Sequence, residues 1–470
     1  SDAVTILLNN VKSINIENSD IISAYHNTSS YYYTTTIDAS NSNLNIINSN
    51  LYNNDLKGKS CNYQIGKGCS NVVATKNSNV NINDSYFENN SSGRLIYTSS
   101  DSEKSKIEMN NSELISKSSM GITSANSIIN INGSTIKTYD LTIENGSAYT
   151  VDETLKPIMN IKNSNLQSAN SSIINNYGHI DISEENNLSK YNDDNISYAA
   201  INNYGNLNIY DKFILKDDYN IGIKNDAKGH LTLGKDDGSY NEYPVIKGKT
   251  HSVVSLYSDF KWYDGTLYGK KLFSMHGTVE ESPESYDVQI ENIDENNEKL
   301  YLKEKSTFES NVAQIGDTKY KTLEDAFNSS IDGDTIKLIN STRTIKSFTI
   351  PENKNITMDL DGYNLIDYTK AIFTNNGTFT LKDSTTVKSG DSTISGASRL
   401  YSMGGQSIIK NNGISNINDL VIDLRSLATE GVISNSNKMD IIDSKIEYYE
   451  STLGSVYKDA GIIQNNSTGN

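Results

Sequence analysis

One eight-residue pattern recurs along the chain and leaves few folds open: apolar-x-apolar-x-(Asn/Asp/Gly)-Ser-x-apolar. It reads "INIENSDI" at Ile14–Ile21, "LNIINSNL" at Leu44–Leu51, "VNINDSYF" at Val80–Phe87 and "IEMNNSEL" at Ile107–Leu114. It returns as "ININGSTI" at Ile129–Ile136, "MNIKNSNL" at Met159–Leu166 and "MDIIDSKI" at Met439–Ile446. The first six copies are spaced by 30, 36, 27, 22 and 30 residues. Alternation with period two makes each unit a strand with one apolar face. Self-similarity at such a period marks a repeat architecture.

A second pattern, apolar-x-Asn-Asn-x-Gly before an alternating strand, interleaves with the first. It occurs as "INNYGHIDI" at Ile174–Ile182 and "INNYGNLNI" at Ile201–Ile209, with a degenerate copy "IKNDAKGHLTL" at Ile223–Leu233. It resumes as "IFTNNGTFTL" at Ile372–Leu381 and "IKNNGISNI" at Ile409–Ile417, and the last residues, "IIQNNSTGN", begin another copy. Asn and Gly tolerate left-handed backbone angles, so Asn-Asn, Asn-Gly and Asn-Ser supply turns. Strands and turns then close one coil, and coils stacked at about 4.8 Å pair each strand with its equivalents above and below. Ile, Leu and Val fill the bore, and Asn at equivalent turns can ladder so that no amide is buried unpaired. The expected fold is all-β: a right-handed parallel β-helix.

Composition agrees with a solenoid. The chain has 470 residues, long enough for two or more domains, yet only 35% are hydrophobic and the net charge is −17. That is too little apolar material for one large core, whereas each solenoid turn needs only a few inward residues. The acidic balance argues against nucleic acid as a partner. No apolar run approaches the roughly 20 residues of a membrane-spanning helix, so no membrane insertion is expected of this segment. Both ends read as cut within a coil, as in a fragment of something longer. Cys61 and Cys69, in "CNYQIGKGC", sit in a polar Gly-containing loop. They are either a disulfide closing that loop, which would fit an extracellular setting, or two unpaired thiols.

One stretch interrupts the pattern. In "KYKTLEDAFNSSIDGDTIKLI", residues 319–339, Leu323, Ala326, Phe327 and Ile331 form one apolar helix face. Thr322 is placed to cap the helix, with Asp325 three residues on. A solenoid end exposes apolar bore and unpaired strand edges, and a short amphipathic helix near 322–331 would cover such an end. The expected organisation is a first module over 1–245, a β-rich cap and connector over 246–310, and a second module over 311–470. In the connector, Phe260, Trp262 and Tyr263 are expected to cover the end of the first solenoid.

The passage "VAQIG…TLEDAF…IDGDTIKL…TIPENKNITMDLDGYNL" resembles the opening of pectate-lyase-like β-helix modules found in large surface proteins of Gram-positive bacteria. "WYDGTLYGK…HGTV…YDV" is similar to the segment that closes such modules. The resemblance is most specific around 255–365. It implies a secreted or cell-surface bacterial protein of tandem modules, adhesive or structural, and does not identify a ligand; the expected partner is a host or bacterial surface glycan or an extracellular-matrix protein.

The same fold also carries polysaccharide lyases and hydrolases, so catalytic patterns matter. Hydrolases of the fold need clustered Asp on one exposed strand face. Here Asp193-Asp194 and Asp217-Asp218 lie in loop-like surroundings, and Gly178-His179 lacks the second Gly of a Gly-His-Gly pattern. A lyase would use Arg or Lys as base beside Ca²⁺-binding carboxylates. Arg94, Arg343, Arg399 and Arg425 are scattered, with no aligned Asp partners visible in the sequence. The five His show no metal-site spacing, although His179 and His230 take comparable places two coils apart. No catalytic residue, metal site or cofactor is expected, beyond adventitious Ca²⁺ at acidic turns. The binding candidates are Tyr31, Tyr32 and Tyr33 in "SSYYYTTTI", with the loop at 55–71 beside them. Variable loops on a rigid repeat are where binding is commonly placed.

These readings converge on a non-catalytic extracellular fragment, adhesin-like or stalk-forming. A polysaccharide lyase or glycoside hydrolase is the alternative from another class, and a purely structural spacer or self-assembling rod is the third reading.

Overall fold

The computed structural model describes all residues except 1–2, 25–33, 55–69, 102–103, 151, 193–198, 217–218, 239–240, 256–257, 386, 390–392, 396–398, 404–406, 425–432, 449–462 and 466–470. The chain divides into two compact units. The first comprises Ser1–Lys235, Asn241–Val253 and Asp264–Lys270; the second comprises Asp236–Tyr240, Val254–Tyr263 and Lys271–Asn470.

The first unit is a parallel β-helix with three sheets. Its first coil contains β1 (Ala3–Asn9), β2 (Ile14–Glu17) and β3 (Asp20–Ser23), and the second contains β4 (Thr34–Ser40), β5 (Asn43–Ile47) and β6 (Asn50–Asn53). β1 pairs with β4, β2 with β5 and β3 with β6, all in parallel. The first apolar residue of each repeat forms a single inward column: Ile14, Leu44, Val80, Ile107, Ile129, Met159, Ile180, Leu207 and Leu231. From Leu44 onward these side chains are at most 1% exposed. Rungs also run past residue 245, where the sequence reading ends the first module. Val245–Lys247 pairs in parallel with Phe213–Leu215 and with Thr266–Lys270.

The Asn-Ser dipeptide of the repeat has two separate duties at the corner after β2. The first residue adopts a left-handed backbone in coil after coil: Asn18, Asn48, Asp84, Asn111, Gly133 and Asn163 have φ between 45° and 62°. Asn, Asp and Gly are the residues that accept this conformation at low cost. The serine that follows builds a ladder. Ser19 N–H donates to Ser49 Oγ at 3.2 Å, Ser49 to Ser85 at 3.2 Å, Ser85 to Ser112 at 3.1 Å, Ser112 to Ser134 at 3.1 Å and Ser134 to Ser164 at 3.2 Å. Each hydroxyl in turn donates to a carbonyl two residues back, as Ser49 Oγ does to Ile47 O at 2.8 Å. A buried polar group must be paired, and this serine is satisfied as donor and acceptor at once.

The Asn ladder expected from the second pattern runs through the core. Asn145 Nδ2 donates to Asn176 Oδ1 at 2.9 Å, Asn176 to Asn203 at 2.8 Å and Asn203 to Asn225 at 2.7 Å. The Gly that ends the pattern is needed for close approach. A Cβ on Gly205 would lie 2.2 Å from the carbonyl oxygen of Gly178.

The second unit repeats this construction. Thr335–Leu338, Asn355–Asp359, Thr378–Lys382, Ile414–Asn418 and Lys438–Ile442 pair successively in parallel. A ladder links buried Asn375, Asn411 and Asn435 to exposed Asn465 at 2.7–3.0 Å. Its helix α1 spans Leu323–Ser329. Asp325 N–H donates to Thr322 Oγ1 at 3.0 Å, and Leu323 and Ala326 are buried. Phe327 stacks on Phe348 with centroids 4.5 Å apart. The helix stops before Ile331, which is 68% exposed and does not join the expected apolar face. Ser330 ends it by turning its hydroxyl onto Phe327 O at 2.7 Å, and Asp334 accepts from Ile331 N–H at 2.7 Å. Phe260, Trp262 and Tyr263 are buried and group with this second unit.

Candidate functional site

In the first unit, β3 and β6 end at the same corner of consecutive coils, in register at Ser23 and Asn53, and the segments 25–33 and 55–69 follow them in the sequence. Tyr31, Tyr32, Tyr33, Cys61 and Cys69 lie in these segments, outside the described residues. The corner at the ends of β3 and β6 is held by buried amides. Asn53 Nδ2 donates to Thr34 O at 2.6 Å and Asn71 O at 3.0 Å, and Asn89 Nδ2 to Ser70 O at 3.1 Å and Arg94 O at 2.9 Å. The points where the chain returns to the solenoid are therefore fixed by side chains whose polar groups are fully used.

The outer face of the third sheet beside this corner carries a cluster that the sequence reading did not single out. Tyr52 and Tyr86 sit on adjacent coils with ring centroids 5.9 Å apart and planes tilted by 51°. Tyr86 donates its hydroxyl to Glu88 Oε2 at 2.7 Å. Lys117 Nζ and Asn90 Nδ2 both donate to Glu88 Oε1, at 2.7 and 2.8 Å. Ile22, 57% exposed, precedes Tyr52 in the same column. Burial, then the bond to Glu88, pushes the Tyr86 hydroxyl far above the ordinary tyrosine range. Burial opposes the charge on Glu88, but its bonds from Lys117, Tyr86 and Asn90 outweigh that and hold its pKa below the ordinary value. The face thus presents two aromatic rings beside a carboxylate whose charged form is favoured by three donors. The signal was in the sequence: "NLYN" and "SYFEN" place Tyr52, Tyr86 and Glu88 at outward positions of alternating strands.

Residues weighed for catalysis fall as follows. His179 and His230 do share one column, both in register with Asn206 between them. His179 Nε2 lies 3.0 Å from Asp181 Oδ1, and that bond raises the imidazole pKa above its ordinary value. Asn208 donates to the same carboxylate at 2.8 Å. Asp193, Asp194, Asp217, Asp218 and Arg425 are outside the described residues. Arg94 is buried and donates Nε–H to Thr123 Oγ1 at 2.6 Å. Among the described residues, no three of His, Cys, Asp and Glu converge at metal-binding distance.

Two arginines are not scattered as the sequence suggested. Arg343 is buried, pairs with Glu298 and donates to Tyr368 Oη at 2.6 Å. Arg399 Nη1 reaches Asp423 Oδ2 at 3.2 Å and Glu447 Oε2 at 2.7 Å. Tyr401, Asp423 and Glu447 stand in register on three successive coils, and Lys445 pairs with Glu447. These partners lie 24 and 48 residues from Arg399, on coils separated by unequal insertions, so linear spacing hid the alignment. The cluster sets an Arg and a Lys beside carboxylates, the residue types the sequence reading required of a lyase. Burial works against the Arg399 charge, yet the bond to Glu447 outweighs it and holds the guanidinium pKa above its ordinary value.

No family model matches the chain, and no curated protein does. Among solved structures, the chain is similar to the PL6-family alginate lyase AlyGC. The identity is 9%, the TM-score is 0.20, and the match covers 95% of this chain and 77% of that one. The parallel sheets and their ladders establish the β-helix fold.

Proposed function

We propose that the chain is part of a non-catalytic extracellular protein of a Gram-positive bacterial surface, adhesive or stalk-forming. The first unit would contact a surface glycan or an extracellular-matrix protein. The observation that carries this reading is the Tyr52–Tyr86–Glu88 face on the outer side of the third sheet. Aromatic rings with a polar tip are favoured wherever a partner must be held at a wetted surface. The acidic, densely laddered solenoid behind the face is suited to a rigid, soluble support.

The test is binding of the whole chain to an array of glycans and matrix proteins, with and without Ca²⁺. A saturable ligand is expected, and the double variant Tyr52→Ala/Tyr86→Ala should weaken it about fivefold or more, as two ring contacts worth roughly 0.5–1.5 kcal/mol each imply. Tyr149→Ala, on an exposed residue elsewhere in the unit, should leave binding unchanged. A ligand unaffected by the double variant would discard the face, and a blank array would leave the spacer reading.

A second reading, a polysaccharide lyase, has one observation in its favour, the Arg399–Asp423–Glu447–Lys445 cluster. Loss of viscosity or appearance of unsaturated ends in a panel of acidic polysaccharides, abolished in Arg399→Ala, would establish it instead.

A further inference from the structure

The chain contains four Asn-Gly and four Asp-Gly pairs, and all eight share one latent reaction. The glycine nitrogen, with no Cβ beside it, can attack the side-chain Cγ of the residue before it. An N–H that is already bonded must first be opened, so its partner in the fold protects the pair. In the Asn-Gly pairs, the N–H groups of Gly133, Gly146, Gly377 and Gly413 donate to Lys162 O, Ser124 O, Asn375 Oδ1 and Asn375 O, at 2.8–3.1 Å. Three of the Asp-Gly pairs are held in the same way. Gly265 donates to Asn241 O at 3.3 Å, Gly333 to Asn355 O at 2.8 Å and Gly362 to Asp383 Oδ1 at 3.2 Å.

Asp237-Gly238 is the exception. It lies in the insertion between the strands His230–Leu233 and Val245–Lys247, and both residues are exposed. Gly238 N–H forms no hydrogen bond among the described residues. Its φ is 73°, and a Cβ placed on it would meet nothing within 4 Å. The nucleophile is therefore unpaired and uncrowded, and the insertion can reach the cyclisation geometry without any coil being opened.

We propose that Asp237 is a modification site at which the backbone rearranges spontaneously to isoaspartate. The Gly238 nitrogen bonds to Cγ of the protonated Asp237 carboxyl, and the N–H proton and the carboxyl hydroxyl leave together as water. The succinimide so formed takes up water again. Cleavage between the nitrogen and the former backbone carbonyl carbon carries the main chain through Cβ, whereas cleavage at Cγ restores Asp. Water is the one reactant, lost and then regained.

The test is ageing of the whole chain at mildly acidic pH, folded and in urea, followed by tryptic digestion and chromatography. Isoaspartate shifts the retention of the peptide Asp236–Lys247 without changing its mass, and blocks cleavage by an Asp-specific endoproteinase at that position. In the folded chain Asp237 should rearrange about tenfold faster or more than Asp264, Asp332 and Asp361, whose glycine partners must first be released. In urea the four rates should converge to within about threefold. Gly238→Ala, with unchanged circular dichroism, should slow the reaction about fivefold or more by crowding the nitrogen. Four results overturn the proposal: no isoaspartate at Asp237, equal rates at the four Asp-Gly pairs in the folded chain, the same ranking kept in urea, or an unchanged rate in Gly238→Ala.

Discussion

Replacing Asn176 by alanine should cost far more than replacing its neighbour Asn175. Asn176 is fully buried and donates to Asn203 Oδ1 at 2.8 Å and to Asn206 O at 2.8 Å. It also accepts from Asn145 Nδ2 at 2.9 Å and from Gly178 N–H at 3.1 Å. Alanine removes all four bonds. Two of the partners are partly protected, because Asn145 Nδ2 still reaches His179 O at 3.2 Å and Asn203 Oδ1 still accepts from Gly205 N–H at 3.3 Å. Gly178 N–H loses its acceptor, a penalty of about 1–3 kcal/mol, and the remaining lost bonds add roughly 0.5–1.5 kcal/mol each. A total near 3 kcal/mol follows once the surviving bonds are allowed for. Asn175 points outward and accepts from Asn202 Nδ2 at 2.9 Å, and Asn202 keeps Ser172 Oγ at 2.9 Å. Its loss should cost less than about 1 kcal/mol. Urea unfolding followed by far-ultraviolet circular dichroism gives the two midpoints. Hydrogen exchange across Ile174–Asn176 and Ala199–Asn203 shows whether the loss is centred on the ladder. Equal losses in the two variants would refute the claim that the inward amide column, rather than Asn content, holds the coils together.

Two further outcomes follow from the second unit. Asp367 is completely buried, and burial pushes its carboxyl from an ordinary 3.8 up to about 7 against the bonds from Thr369 and Ser402. Its contribution is therefore full below pH 4 and is lost as pH rises through 7, by about 4 kcal/mol. Asp367→Asn should shrink the loss of stability between pH 4 and pH 8, measured by urea unfolding, by about 4 kcal/mol, while Asp287, also pushed by burial up to about 7, keeps its own share; an unchanged pH dependence would refute the buried neutral acid. Thr322→Ala should lower stability by about 1 kcal/mol through loss of the α1 cap, with faster hydrogen exchange confined to the first turn of the helix; a globally uniform change would show that the helix is not held by its cap.

Much of the solenoid was legible because its rules are local. Period-two alternation fixed which of Ile, Leu and Val turn inward, and Asn before Ser marked the left-handed corner. What the serine does was not legible, since a ladder exists only once Ser49 is stacked on Ser19 and under Ser85. The rungs through Val245–Lys247 and Thr266–Lys270 were obscured by aromatic and turn residues that break the alternation. The length of α1 was overread because Ile331 fits the apolar spacing, whereas Ser330 and Asp334 decide the end by hydrogen bonding. The candidate face failed to stand out for a similar reason: Tyr52 and Tyr86 are separated by a long insertion and become neighbours only through coil register. Arg399 met its acids in the same way. Residues on one coil can be read from the string, but columns across coils need every insertion length counted correctly.

The corner between β2 and β3 admits exactly two residues in successive coils, one left-handed and one serine, from Asn18-Ser19 to Asn163-Ser164. The corner after the third strand has no such rule: five residues separate Ser116 from Ile122, and nineteen separate Asn53 from Val73. Chain-closure entropy makes the longer loop only about 1 kcal/mol dearer than the shorter. One edge of the solenoid is thus a seam that one inserted residue would tear, while another is an open rack. Foreign segments grafted after any third strand should be carried outward without disturbing the coils beneath, and new surface chemistry can accumulate there while the frame stays the same.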